Sequence, residues 1–113
     1  MLKTASYHST PYLRQRAVEI VTQLGAANRI DWLAKFELDL RQGQSCKERG
    51  EAVARLRQLD DARAIPILRK SRDERSGFFG RGFRNWCIRQ KIIEAIKHLM
   101  TKHPDKPARK ASR

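Results

Sequence analysis

Long apolar runs are missing from this sequence. None approaches the roughly 20 residues that a membrane-spanning helix needs. The first ten residues, MLKTASYHST, have no apolar centre of the kind a secretory leader carries. Residence in the cytoplasm is the expectation, with no membrane partner. Aromatic residues make up only 7% of the chain, which suits helices better than sheets. Cysteine is scarce as well. Cys46 and Cys87 lie far apart and outside any C-x-x-C arrangement. No disulfide framework is expected, and both are read as reduced. Cys87 is read as a small core residue at the head of the last helix. The three histidines, His8, His98 and His103, form no cluster with cysteine or carboxylate at zinc spacing. Neither a P-loop nor G-x-S-x-G occurs, and Gly77-Phe78-Phe79-Gly80-Arg81-Gly82 lacks the spacing of a nucleotide loop. No catalytic residue, metal ligand or cofactor site is nominated, and the chain is read as not an enzyme.

What the chain does have is helical periodicity. Glu51 to Lys70, EAVARLRQLDDARAIPILRK, reads as helix, tight turn, helix. Ala52, Val53, Leu56 and Leu59 mark one buried face, and Ala64, Ile65, Ile67 and Leu68 mark the next. Asp60 and Asp61 interrupt, as a helix cap rather than a catalytic pair. Pro66 sits near the second helix's start, where its missing N–H costs least. Two helices so closely joined form an αα-hairpin. The first-helix pattern recurs at Ala17, Val18, Val21 and Leu24, and again at Ile92, Ile93, Ile96 and Leu99. Those offsets of 35 and 40 residues fall within the range of helical repeat arrays.

The segment Arg49 to Asp73, RGEAVARLRQLDDARAIPILRKSRD, resembles the short bacterial HEAT repeat named after phycobilisome lyases. Leu59 to Leu68 is the strongest match, although that family usually has Gly-Asp-Pro where this chain has Asp60-Asp61-Ala62. Gln15 to Gly25 and Ile88 to Leu99 resemble the first helix of flanking repeats. The resemblance implies an all-α, HEAT-like α-solenoid of about two and a half antiparallel hairpins, used for binding. It carries no catalytic residue across.

In chain order, residues 1–9 are expected as a flexible lead-in. A single helical domain then spans 10–102, with about five helices at 11–24, 29–42, 46–59, 62–72 and 86–102. Thr10-Pro11 starts the first helix and Gly25 stops it. Leu13 and Leu24 are placed on its buried face. Asn28 is read as the cap of the second helix, which Gly43 closes. Ser45-Cys46-Lys47-Glu48 matches a capping box. Residues 73–85 are expected as a loop without a strand, and 103–113 as a disordered basic tail. Trp32 and Trp86 are read as packing residues.

The balance of charge is one-sided, with 25 Lys/Arg against 12 Asp/Glu and a net +13. Residues 69–91 carry +6 and residues 102–113 carry +4. So local an excess points to an anionic partner. Arg75, Arg81, Arg84, Arg89 and Lys91 are the candidate contacts, with Phe78, Phe79 and Phe83 as aromatic neighbours that either cover the last hairpin or touch a ligand. A protein-interaction module docking an acidic protein surface is the first reading. Sequence-nonspecific nucleic-acid binding through residues 75–91 and the tail is the second.

Overall fold

The computed structural model describes residues 1–76 and 82–104. The fold is all-α. Six helices lie among the described residues: α1 (Leu2–Tyr7), α2 (Pro11–Gln23), α3 (Trp32–Gln42), α4 (Cys46–Leu59), α5 (Ala64–Asp73) and α6 (Arg89–Lys102). Short 3-10 turns at Ala27–Arg29 and Trp86–Ile88 lead into α3 and α6.

Local chemistry explains most boundaries. Pro11 is the first residue of α2, as its fixed φ favours. Gly25 follows α2 with φ +78°, the left-handed conformation that ends helices. Ser45 caps α4 by accepting the Glu48 N–H, while the Glu48 carboxylate accepts from the Gln44 N–H rather than from the cap residue. The box is therefore shifted by one residue on its return side. Asp31, not Asn28, caps α3, accepting from the Ala34 N–H at 3.1 Å. Asp60 ends α4 with φ +57°, and Asp61 accepts the Arg63 N–H just before α5. Asp tolerates that left-handed position better than most residues.

Two apolar cores result. The larger joins Leu40 of α3 to Ala52, Val53 and Leu56 of α4, Ile65 and Leu68 of α5, and Ile92, Ile96 and Leu99 of α6. The smaller joins Ala5 of α1 to Ala17, Val18 and Val21 of α2 and to Ile30. Residues 2–7 are thus an ordered helix with Ala5 and Ser6 buried, not a flexible lead-in. The polar reading of that segment missed the alanine face that α2 covers.

Trp32, at the start of α3, packs on the smaller core, and farther along a polar seam joins α2 and α3. The Arg14 guanidinium, 0% exposed, donates to Asp39 at 2.7 Å, to the Gln42 side chain at 2.8 Å and to the His8 carbonyl at 2.6 Å. Lys35 donates to the other Asp39 oxygen and to Gln15. Beyond the seam a cleft of about 870 Å³ separates α2 from α4. The close α2-on-α4 stacking that a regular array would give is absent here.

Helices α4 and α6 do lie side by side, and they run parallel. The start of α4 is tied to the 3-10 turn before α6 by a Cys46–Cys87 disulfide. At their far ends His103, just after α6, meets the Asp60 carbonyl and carboxylate at 3.2 and 3.1 Å. Helix α5 packs antiparallel on α6, with Asn85 donating to the Ser71 carbonyl and Arg69 reaching Met100.

Other expectations are corrected. The two cysteines are bonded rather than reduced, and Cys87, expected in the core, is exposed, as is Cys46. Cys87 falls in the 3-10 turn before α6, which points it away from the apolar face. Leu24 and Leu13 are exposed, because α2 turns its Arg14, Ala17, Val18, Val21 face inward. Trp86 is 74% exposed and packs little, whereas Trp32 stacks on Phe36 at 5.4 Å. Residues 75–76 and 82–83 form a minimal antiparallel ladder, β1 (Arg75–Ser76) with β2 (Gly82–Phe83), where no strand was expected. His103 and Pro104 belong to the described residues, and His103 is anchored; residues 105–113 of the expected tail lie outside them.

Candidate functional site

Two of the five nominated basic residues, Arg84 and Arg89, are engaged by the fold itself. Arg84 donates through Nη2 to the carbonyls of Arg41 and Gly43, at 2.9 and 3.3 Å. This satisfies carbonyls left open at the C-terminus of α3. Its Nη1 is buried, with the Glu74 carboxylate 3.9 Å away. Arg49 reaches the same Gly43 carbonyl from α4 and also donates to Asn85 at 2.7 Å. Burial first, then the nearby Arg84 charge, presses the Arg49 guanidinium below its ordinary pKa. Gly43 is required by this approach, since a Cβ there would lie 2.8 Å from the Arg49 side chain. Arg89 is half-buried and donates to the Arg72 carbonyl at the end of α5. Arg75 is exposed in β1, its backbone opposite Phe83. Arg81, Phe78 and Phe79 lie outside the described residues, as does the Phe83 side chain.

Lys91 is different. It is exposed in the first turn of α6, and its stem crosses Gly50 of α4. It enters a groove of about 470 Å³ between α4 and α6. Val53, Ala54 and Ala95 supply apolar lining, while Arg57, Lys91, His98 and Lys102 supply the polar edges. Arg57 and Lys102 are exposed, so their charges are available to a ligand. The groove's acid is Asp60, whose carboxylate is already engaged by His103. Three cations therefore face one occupied carboxylate. Such an imbalance between low-dielectric helix walls favours an anionic occupant.

Arg57, His98 and Lys102 were not nominated from the sequence. Their signal was nonetheless present. Lys91, Ala95, His98 and Lys102 follow i, i+4, i+7, i+11 spacing, one stripe of α6, and Val53 with Arg57 is the matching i, i+4 pair on α4. Charge was read along the loop rather than along helix faces.

The larger cleft between α2 and α4 is lined by Arg14, Lys35 and Arg55 against Asp39, Glu48 and Glu51. Its charges balance, and two of the cations are held within the seam. It therefore lacks the bias of the α4–α6 groove. Among the described residues no group of histidine, cysteine and carboxylate side chains could hold a metal ion. Among them, too, no helix is long and apolar enough to cross a membrane. Compared with known proteins, the chain matches no family model, no curated protein and no solved structure.

Proposed function

We propose that the chain is a non-catalytic, HEAT-like helical module for protein–protein interaction that docks an acidic partner in the α4–α6 groove. The observation that carries this reading is the convergence of Arg57, Lys91 and Lys102 around an apolar lining, with the neighbouring carboxylate of Asp60 taken up by His103. An acidic amphipathic segment matches both features, laying apolar side chains on Val53, Ala54 and Ala95 and carboxylates on the rim. The exposed Trp86, five residues before Lys91, is the residue type that anchors such interfaces. Two features support the repeat assignment. Helices α4 and α6 stack in parallel, and Asp60 has φ +57° where the resembled repeat carries glycine. Cytoplasmic residence belongs to this reading too.

Nucleic acid is the second reading, favoured by the net charge of +13. It gains less from the groove, because a phosphate backbone makes no use of an apolar floor. The two separate by titration of the chain with a labelled Glu/Leu amphipathic peptide and with a labelled thymidine oligonucleotide. The peptide is expected to bind more tightly at physiological salt, and R57E/K102E is expected to abolish that binding. Tighter oligonucleotide binding at that salt, or peptide binding indifferent to R57E/K102E, refutes the protein-docking reading.

A further inference from the structure

The Cys46–Cys87 bridge joins two exposed residues in unlike surroundings. Cys46 is the first residue of the 14-residue helix α4, where the open N–H groups of the first turn favour negative charge. The Arg49 Nη2 lies 3.9 Å from its Sγ. Arg49 is itself crowded by the Arg84 charge, so an anion forming beside it relieves that repulsion. Glu48, the nearest acid on α4, is turned to the Gln44 N–H. Cys87 sits in the 3-10 turn Trp86–Ile88 that leads into α6, next to the exposed Trp86.

The geometry points to an exchangeable disulfide, a modification site for low-molecular-weight thiols that is entered at Cys87 and leaves Cys46 as the thiolate. Exchange is fastest when the departing sulfur is the better-stabilised anion, and helix N-termini and neighbouring arginines stabilise thiolates. An incoming thiolate attacks the Cys87 Sγ. The S–S bond breaks, its electron pair passes to the Cys46 Sγ, and a mixed disulfide remains on Cys87. A second thiol then attacks the outer sulfur of that mixed disulfide, releasing Cys87, while the small molecule departs as its own disulfide. Two thiols are oxidised, and one protein disulfide becomes two cysteines. The reverse sequence closes the bridge. Such pairs are the kind of disulfide that reducing compartments retain. The inference goes beyond partner docking and does not depend on it.

The test is a short exposure of the full-length, air-oxidised chain to reduced glutathione in native buffer, quenched with N-ethylmaleimide and followed by peptide mapping. Glutathione is expected on Cys87 and maleimide on Cys46, with opening proportional to glutathione concentration. R49Q is expected to open several-fold more slowly, and R49K to restore most of the rate. Glutathione found on Cys46, opening only after urea is added, or two maleimide-labelled cysteines before any thiol is present would each overturn the inference. The wild-type map needs no variant, so poor folding of R49Q would not blunt it.

Discussion

Removing the Asp39 carboxylate should damage the fold more than removing both halves of its ion pair. Arg14 is 0% exposed, and two of its four hydrogen bonds end on Asp39 Oδ1, at 2.7 and 3.3 Å. In D39L the guanidinium stays buried with only the His8 carbonyl and the Gln42 amide oxygen as acceptors. Lys35 loses its 2.7 Å partner but keeps Gln15 at 3.1 Å. Breaking a buried pair from one side costs about 3–5 kcal/mol. The Asp39 side chain is 27% exposed toward the cleft, where water can reach the orphaned charge. That places the expected cost at the low end, about 3 kcal/mol. For a chain of this size it corresponds to a Tm fall of about 12 °C. R14M/D39L replaces the pair by apolar groups of similar length, and its expected cost is about 1 kcal/mol, since such swaps are often near neutral. Urea unfolding followed by far-ultraviolet circular dichroism measures both. If R14M/D39L is as unstable as D39L, or if D39L costs less than about 1 kcal/mol, the seam is not a buried ion pair in energetic terms.

Reduction of the bridge is a second perturbation. Cross-linking residues 41 apart constrains the unfolded chain by about 4 kcal/mol in the chain-entropy account, so scanning calorimetry with and without reductant should show a Tm difference of about 15 °C; equal values reject it. Asp31 supplies a pH dependence. The Tyr7 hydroxyl first, and the Ala34 N–H second, hold its carboxyl below the ordinary 3.8. A depressed folded pKa gives stability that is present above 3.8 and lost as pH falls through the lower folded value. D31N should therefore lower Tm at pH 7, by a margin that shrinks once the pH drops below 3.8; a margin unchanged at strongly acid pH contradicts this. Any single-stranded oligonucleotide held only by Arg57, Lys91 and Lys102 should show a log–log salt slope near −2, at about 0.7 per phosphate. A much steeper slope would place phosphate contacts elsewhere on the chain.

Helices were legible wherever one apolar stripe was enough to specify them. Ala52, Val53 and Leu56 and Ile92, Ile96 and Leu99 are all buried, and α4 begins at Cys46 as the Ser45 cap implied. Stripe length was harder. Leu24 and Leu13 fit the period of α2, yet no neighbour covers them, and a period cannot report where a neighbour stops. Helix α1 escaped because its buried residues are Ala5 and Ser6, too small to register as an apolar face. The Asp39 seam was invisible for the opposite reason: Arg14, Lys35 and Asp39 look like solvated charge until α3 folds back on α2. The bridge joins cysteines 41 residues apart, a pairing that only the parallel placement of α4 and α6 reveals. Of the nominated contacts among the described residues, Lys91 alone lines the basic groove, while Arg84 and Arg89 serve open carbonyls at the ends of α3 and α5.

The two ties between α4 and α6 bear on what that groove can recognise. Parallel helices joined at one end could splay, and the spacing of Lys91 from Lys102 against Arg57 would then vary with the occupant. Here one end is closed by a covalent bond and the other by His103 on Asp60. The walls are set before any ligand arrives, so little ordering cost falls on binding. The ties differ in what can release them. Thiols act on the first and leave the second, a noncovalent contact, in place. Reduction should loosen only the end that carries Lys91, leaving Arg57 and Lys102 where the His103 contact holds them.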